Sequence, residues 1–380
     1  MKQDSRAIKV LHINAGSRQF GGVSAFVFNL FTHMDHTKVS FDMLSPNETT
    51  YDIVRDQIEN NGGNIYALGV KGSFPVRTVQ LYQRLRAFLK EHSYDAVHIN
   101  SGSVFFNWLV LSAAKSAGNV KVIVHSHNSM DEKDNFLRRQ VFSILRRQIC
   151  RNADLLLACS DKAAEYMFTK DALERNQVKV IFNGIDPERF SFDENVRLES
   201  RKNLGMEDCF VVGNIGRLEV SKNQEFLIRV FSRIHEKNPV ARLLIYGSGS
   251  LKEQLKKTIT ENRLDEDVRI CEPVKEVEKA YMAMDVFVLP SLYEGLPFTA
   301  VEAQCIGLPT VLSDAITRET SVCDNVSYLP LDAGENTWAD HILKQSGRQE
   351  DSREKIREAG YDIRDVAKTM EHIYQELCHE

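Results

Sequence analysis

The 380-residue chain lacks the marks of several protein classes. Its seven cysteines form no CxxC pair, and their number is odd. That argues against a disulfide framework or a structural zinc site and fits buried thiols in a reducing compartment. No run of about 18 apolar residues occurs, so no membrane-spanning helix is expected. The opening stretch MKQDSRAIKVLHINAG holds no long apolar segment, so no signal peptide is expected. The expected location is the cytoplasm, at most as a peripheral protein on the inner face of the plasma membrane. There is no excess of positive charge, since the net charge is −5, and nothing global points to nucleic acid. Neither a low-complexity tract nor an internal repeat is present.

What is present is ordinary for a globular protein: 43% hydrophobic and 27% charged residues. The length suggests two domains. Short β-branched runs alternate with helical periodicity. IKVLHIN, VSFDML, AVHIN, VKVIVHS, DLLLACS and VKVIFNG form one set of strands, and FVVGNIG, ARLLIYG, VRICEP, DVFVLPS and PTVLSD a second. This rhythm predicts an α/β fold of two doubly wound parallel-sheet domains. The turn, proline and charges of residues 183–201 read as the linker. The expected domains are residues 1–190 and 191–360, followed by a helical tail, 361–380.

Ligands of open parallel sheets sit at the carboxyl ends of the strands. After the first strand, Gly16, Gly21 and Gly22 form a loop whose backbone can approach a ligand, with a helix start behind it. It matches neither a Walker A loop nor GxGxxG. In the second half, Arg217 and Lys222 follow a strand end, which suits a diphosphate. Gly247 and Gly249 mark another strand-to-helix turn. In SLYEGLPFTAVEAQCIGLPTVLSD, two glutamates, Glu294 and Glu302, flank seven residues. Glu294 falls on a loop, and Pro297 begins a helix that leaves the amides of Phe298, Thr299 and Ala300 free for phosphate. Glu302 lies further along among apolar neighbours. A buried carboxylate needs donors, and two ribose hydroxyls would supply them; the alternative is a Glu–Lys or Glu–Arg pair within the fold. His125 and His127, with Asn128, end a strand of the first half. DED at 265–267 lies before a strand, the wrong end for a ligand, and no metal site is expected.

NFLRRQVFSILRRQICR, Asn135–Arg151, combines helical apolar spacing with Arg138, Arg139, Arg146 and Arg147. Such a helix can lie on an anionic membrane. It can equally be a core-facing helix with a charged outer side.

Several motifs in order carry a resemblance: GGVSAFVFNL, VHSHN, ACSDKAAEYM, VIFNGID, GRLEVSKN, YGSGSLKEQL and the Glu294-to-Glu302 segment. Together they resemble the retaining glycosyltransferases of family 4, of GT-B fold, in which two Rossmann-like domains face across a cleft. The likeness is strongest to bacterial capsular and exopolysaccharide enzymes. The resemblance implies transfer of a sugar from a nucleotide sugar, a UDP-sugar foremost, to a lipid-linked or saccharide acceptor. It implies no cofactor and no metal. By the same resemblance Glu302 binds the donor ribose, and Glu294, Gly295, Phe298 and Thr299 hold donor sugar or diphosphate. Arg217 and Lys222 neutralise the leaving group, and Gly21, Gly22, Gly247 and Gly249 line the donor site. His127, or His125 in its place, assists at the reacting centre. The tail helix crosses back onto the first domain. Other readings are a nucleotide-sugar epimerase, another GT-B enzyme, or a non-catalytic nucleotide-sugar-binding protein.

Overall fold

The computed structural model describes residues 6–15, 21–48, 50–127, 136–345, 347–349 and 352–379. The chain forms two compact units, Met1–Gly184 with Tyr361–Glu380, and Ile185–Gly360.

The first unit is built on seven strands: β1 (Ile8–Asn14), β2 (Val39–Ser45), β3 (Ile65–Ala67), β4 (Ala96–Asn100), β5 (Lys121–Ser126), β6 (Leu155–Ala158) and β7 (Val178–Val180). They lie side by side in the order β3-β2-β1-β4-β5-β6-β7, and every pair is parallel. The strand order reverses between β1 and β4. That switch point gathers their carboxyl ends, Asn14 beside Asn100. Strands covered on both faces need apolar residues at nearly every position, and β1, β4 and β5 are buried along almost their whole length. Their buried histidines and asparagines share one phase. His12 pairs with His98, and Asn100 pairs with both Asn14 and His125, so all lie on the same face of the sheet. The helix Ile363–His379 packs on that unit, burying Val366, Met370, Ile373 and Tyr374 at helical spacing. Its entry is tight: a Cβ on Gly184 would sit 2.7 Å from the Ile363 Cα.

The second unit has β8 (Phe210–Ile215), β9 (Ala241–Tyr246), β10 (Val268–Cys271), β11 (Val286–Leu289), β12 (Thr310–Ser313) and β13 (Val326–Leu329). Their order is β10-β9-β8-β11-β12-β13, again all parallel, with the switch point between β8 and β11. The helix Gln224–Lys237 buries Phe226, Leu227, Val230, Phe231 and Ile234 against Val212, Leu243 and Ile245. The three-residue β3 and four-residue β13 are edge strands absent from the sequence reading.

The segment expected as a linker divides. The change of unit falls after Gly184, and Glu194–Leu204 is a helix of the second unit. Asp193 caps it, accepting from the Asn195 and Val196 amides, and Gly205 closes it at φ 66°. Two of its charges are not solvated linker charges. Arg197 (2.6 Å) and the buried Arg201 (3.1 Å) both pair with Asp285 at the start of β11.

Candidate active site

At the carboxyl ends of β8 and β11, two loops of the second unit are laced together. The Leu292 amide donates to the Ser221 carbonyl (2.8 Å), and Asn223, at φ 54°, donates its side-chain amide to the Pro290 carbonyl (3.1 Å). This brings Lys222 onto Glu294: Nζ pairs with Oε1, which also accepts from the Ser291 hydroxyl at 2.7 Å. Both partners are only 13% exposed. The Glu–Lys alternative therefore applies to Glu294. Arg217 stands apart from that pair. It is half exposed and bonded to its neighbour Glu219 at 2.9–3.0 Å.

Gly247 and Gly249 have a packing reason. A Cβ at Gly247 would lie 1.9 Å from the Gly216 carbonyl oxygen, and one at Gly249 would lie 2.3 Å from that of Leu218. The two loops touch backbone to backbone, which only glycine permits.

Pro297 is the N-cap of the helix Phe298–Cys305, and no side chain caps this helix. Of the three amides expected to be free, that of Ala300 is taken by the Pro297 carbonyl (3.1 Å). A tight first turn spends it, so phosphate would rely on Phe298 and Thr299. Gly295 is buried in the preceding loop, and the Thr299 hydroxyl is buried with no partner among the described residues.

Glu302 lies on the next turn, half-buried. It has no ion pair among the described residues. Its partner is a neutral group: the Tyr281 hydroxyl donates to Oε2 at 2.8 Å and also approaches the Thr299 carbonyl (3.1 Å). Burial raises the Glu302 carboxyl from 4.5 to about 7; the Tyr281 bond and Arg189 offset this only in part, because Arg189 is tied to Glu278 (2.8 Å). Tyr281 comes from the helix Val277–Ala283, and nothing in the sequence reading singled it out.

In the first unit, Gly21 is the N-cap of the helix Gly22–His33, with open space where a Cβ would stand. Gly16 and Asn128 lie outside the described residues. His125 is fully buried on β5, whereas His127 is half-buried just past the strand end, so His127 is the one at the surface of the sheet's carboxyl edge. Burial pushes its imidazole down to about 3, leaving it neutral. The rings stand 4.1 Å apart, and both pack against Phe26.

The helix Phe136–Asn152 is mixed in character. Leu145 and Ile149 face the core, while Val141 (45% exposed) and Ile144 (57%) stand outside with Arg139 and Arg147. Arg146 does not belong to that outer face. It is half-buried, with its guanidinium over the Tyr166 ring at 5.3 Å. The Arg138 side chain lies outside the described residues. No helix among them is long and apolar enough to cross a membrane, and they contain no metal-type cluster of His, Cys, Asp and Glu.

Two all-parallel sheets in one chain, with charged groups and glycine loops at the switch points, define a GT-B protein. Solved structures agree on that fold. Anabaena HepE, crystallised with UDP and glucose, superposes with a TM-score of 0.78 at 17% identity, over 97% of this chain and 100% of that one. The pneumococcal O-GlcNAc transferase GtfA, in complex with UDP and GlcNAc, gives 0.71 at 14% identity over 99% and 100%. The family model for glycosyl transferases group 1 matches residues 196–363, and that for glycosyltransferase family 4 matches residues 20–189. EpsF of Bacillus subtilis (strain 168), provisionally classed as a glycosyltransferase, is 31% identical over 377 residues, 96% of either chain. An Escherichia coli UDP-Gal:alpha-D-GlcNAc-diphosphoundecaprenol alpha-1,3-galactosyltransferase is 29% identical over 236 residues, 60% of each. The chain belongs to the family 4 glycosyltransferases.

Proposed function

We propose that the protein is a retaining, metal-independent hexosyltransferase. It takes a UDP-sugar as donor and a lipid-linked or saccharide acceptor, within capsular or exopolysaccharide biosynthesis. The observation that carries this reading is Glu302: a half-buried carboxylate with no ion pair among the described residues, one oxygen held by Tyr281, on a helix whose start has no side-chain cap. Such a carboxylate accepts from ribose hydroxyls, and the Phe298 and Thr299 amides donate to a phosphate next to it.

Departure of a nucleoside diphosphate builds negative charge on the leaving oxygen. Lys222 answers it by turning from Glu294 to the diphosphate, and the exposed Arg217 by leaving Glu219. Glu294, released from Lys222, then accepts from hydroxyls of the transferred sugar. His127 serves the reacting sugar as a neutral imidazole. The UDP of the HepE and GtfA complexes and the diphosphoundecaprenol saccharide of the Escherichia coli galactosyltransferase support the choice of donor and acceptor class.

Thermal shift against UDP-, GDP-, ADP- and CMP-sugars, with and without EDTA, tests this reading. A ligand at 100 times its Kd adds about 2.7 kcal/mol of stability. An EDTA-insensitive rise confined to UDP-sugars is expected. A rise with another nucleotide alone, or one abolished by EDTA, overturns the donor or the metal independence. Sugar transfer to a polyprenyl-diphosphate saccharide, with the anomeric configuration read by NMR, tests acceptor class and retention.

A further inference from the structure

Three strand ends of the first unit place imidazoles and amides in one phase: His12 and Asn14, His98 and Asn100, His125 and, beyond its strand, His127. His12, His98, Asn100 and His125 are at most 1% exposed. Burying so many polar rings in one layer is costly unless each is satisfied. A connected chain joins most of them, and Asn14 Oδ1, His125 Nε2 and His127 Nδ1 are left without a partner among the described residues. Asn100 Nδ2 contacts the His98 carbonyl (3.1 Å) and His12 Nδ1 (3.1 Å), and Asn100 Oδ1 contacts His127 Nε2 (3.2 Å). His12 Nε2 meets the Tyr374 hydroxyl (3.1 Å), which meets His98 Nδ1 (2.6 Å), and His98 Nε2 meets His125 Nδ1 (3.2 Å).

One contact sets a consistent order of donors and acceptors along the chain. A backbone carbonyl only accepts, so the Asn100 atom facing the His98 carbonyl is the NH2 group. That NH2 also donates to His12 Nδ1, which is therefore bare, and His12 carries its proton on Nε2. His12 donates it to the Tyr374 oxygen, so Tyr374 donates to His98 Nδ1. His98 then carries its proton on Nε2 and gives it to His125 Nδ1, which leaves the His125 proton on Nε2. In the other direction the Asn100 oxygen accepts from His127 Nε2, so His127 Nδ1 is a bare lone pair. That atom is buried and has no partner of good hydrogen-bond geometry within the described residues; its polar neighbour is the Asn183 side chain, whose Oδ1 is likewise unpartnered and whose approach favours the protonated ring, against the effect of burial. Burial holds all four imidazoles neutral, as this pattern requires.

We propose that Asn100 is a positioning residue for the transfer reaction: its amide fixes His127 as the Nε2–H tautomer and presents the His127 Nδ1 lone pair at the carboxyl edge of the sheet as an acceptor for a sugar hydroxyl. The catalytic half of this proposal rests on the glycosyl-transfer reading; the tautomer half does not.

The test is a long-range 1H–15N spectrum of the full chain labelled with 15N-histidine, which reads the protonated nitrogen of each ring without turnover. His127→Gln and His12→Gln assign the two key rings. Both are expected as Nε2–H in the wild type, and Nδ1–H at His127 there overturns the proposal with no further variant needed. Asn100→Asp keeps the acceptor toward His127 and loses the donor toward His12. His127 is expected to stay Nε2–H while His12 moves to Nδ1–H, and an unchanged His12 overturns the proposal. In Asn100→Ala His127 is expected to become a tautomer mixture, with kcat down tenfold or more at unchanged nucleotide affinity. Asn100→Asp is expected to recover part of that kcat. Tyr374→Phe disturbs His98 and should leave His127 as it is; an equal effect at His127 would mean general loosening and sink the role of Asn100. Correct tautomers with no kcat loss in Asn100→Ala would overturn the catalytic half alone. Absence of transferase activity in the wild type would instead count against the function proposed above.

Discussion

The Tyr281 hydroxyl donates to Glu302 Oε2 at 2.8 Å, linking two helices of the second unit through a neutral donor rather than a cation. The carboxylate is thereby oriented but not neutralised. Glu302→Ala is expected to weaken UDP binding tenfold or more, about 1.4 kcal/mol, by isothermal calorimetry. Unchanged affinity in the folded variant would remove Glu302 from the ribose site.

A pH dependence follows from the same carboxyl. Its value in the folded protein, about 7, lies above the ordinary 4.5. The protonated form therefore contributes stability that is fully present below about 4.5 and lost as pH rises through about 7. Ribose hydroxyls donate best to the ionised form, so affinity should rise between pH 6 and 8 and the complex should release a proton. Calorimetry in buffers of different ionisation enthalpy reads that proton. Glu302→Gln serves as the reference for the nucleotide's own titration, and an identical pH profile in both proteins would count against the assignment. Tyr281→Phe removes an interaction that lowers the Glu302 value, so its affinity curve should move to higher pH.

Lys222 and Glu294 are a partly buried pair, and losing one partner strands the other. Lys222→Met alone is expected to cost about 3 kcal/mol of stability in chemical denaturation. The double variant Lys222→Met/Glu294→Gln should regain most of that stability while transfer stays at least a hundredfold down. Recovery of activity along with stability would make the pair purely structural.

Arg139, Val141, Ile144 and Arg147 form the outward side of the helix Phe136–Asn152. Arg139→Glu/Arg147→Glu with Ile144→Ser is expected to abolish co-sedimentation with phosphatidylglycerol vesicles and to leave UDP binding intact. Arg146→Glu instead loses the ring contact with Tyr166 and should lower the melting temperature. Sedimentation equal to wild type in the triple variant would make this helix an ordinary charged surface.

Much of this was legible in the sequence because it is local. The β-branched runs became strands, and the spacing of Glu294 and Glu302 placed one on a loop and one in a helix. Edge strands β3 (IYA) and β13 (VSYL) have no fully buried position and so lack the buried apolar run that marks a central strand. The pairing of Lys222 with Glu294 joins two loops that approach only because β8 and β11 are neighbours in the sheet. Tyr281 carries no local sign of its partner. The histidine layer was partly visible, since HIN ends both β1 and β4 and HSH ends β5. Its meaning needed the register that sets His12 against His98 and Asn100 against His125. The segment read as a linker contains the change of unit, but its later part is a helix whose Arg197 and Arg201 find Asp285, far along the chain.

The first unit is closed by residues 361–380, and Tyr374 completes its histidine layer. During translation, every residue of the second unit is joined to the chain before that tyrosine is. The sequence of the second unit is thus complete while the first still lacks the residue that closes its imidazole layer. Synthesis order alone makes the first unit the last to mature, and a chain stopped near residue 360 would carry an intact second unit beside an unfinished first one.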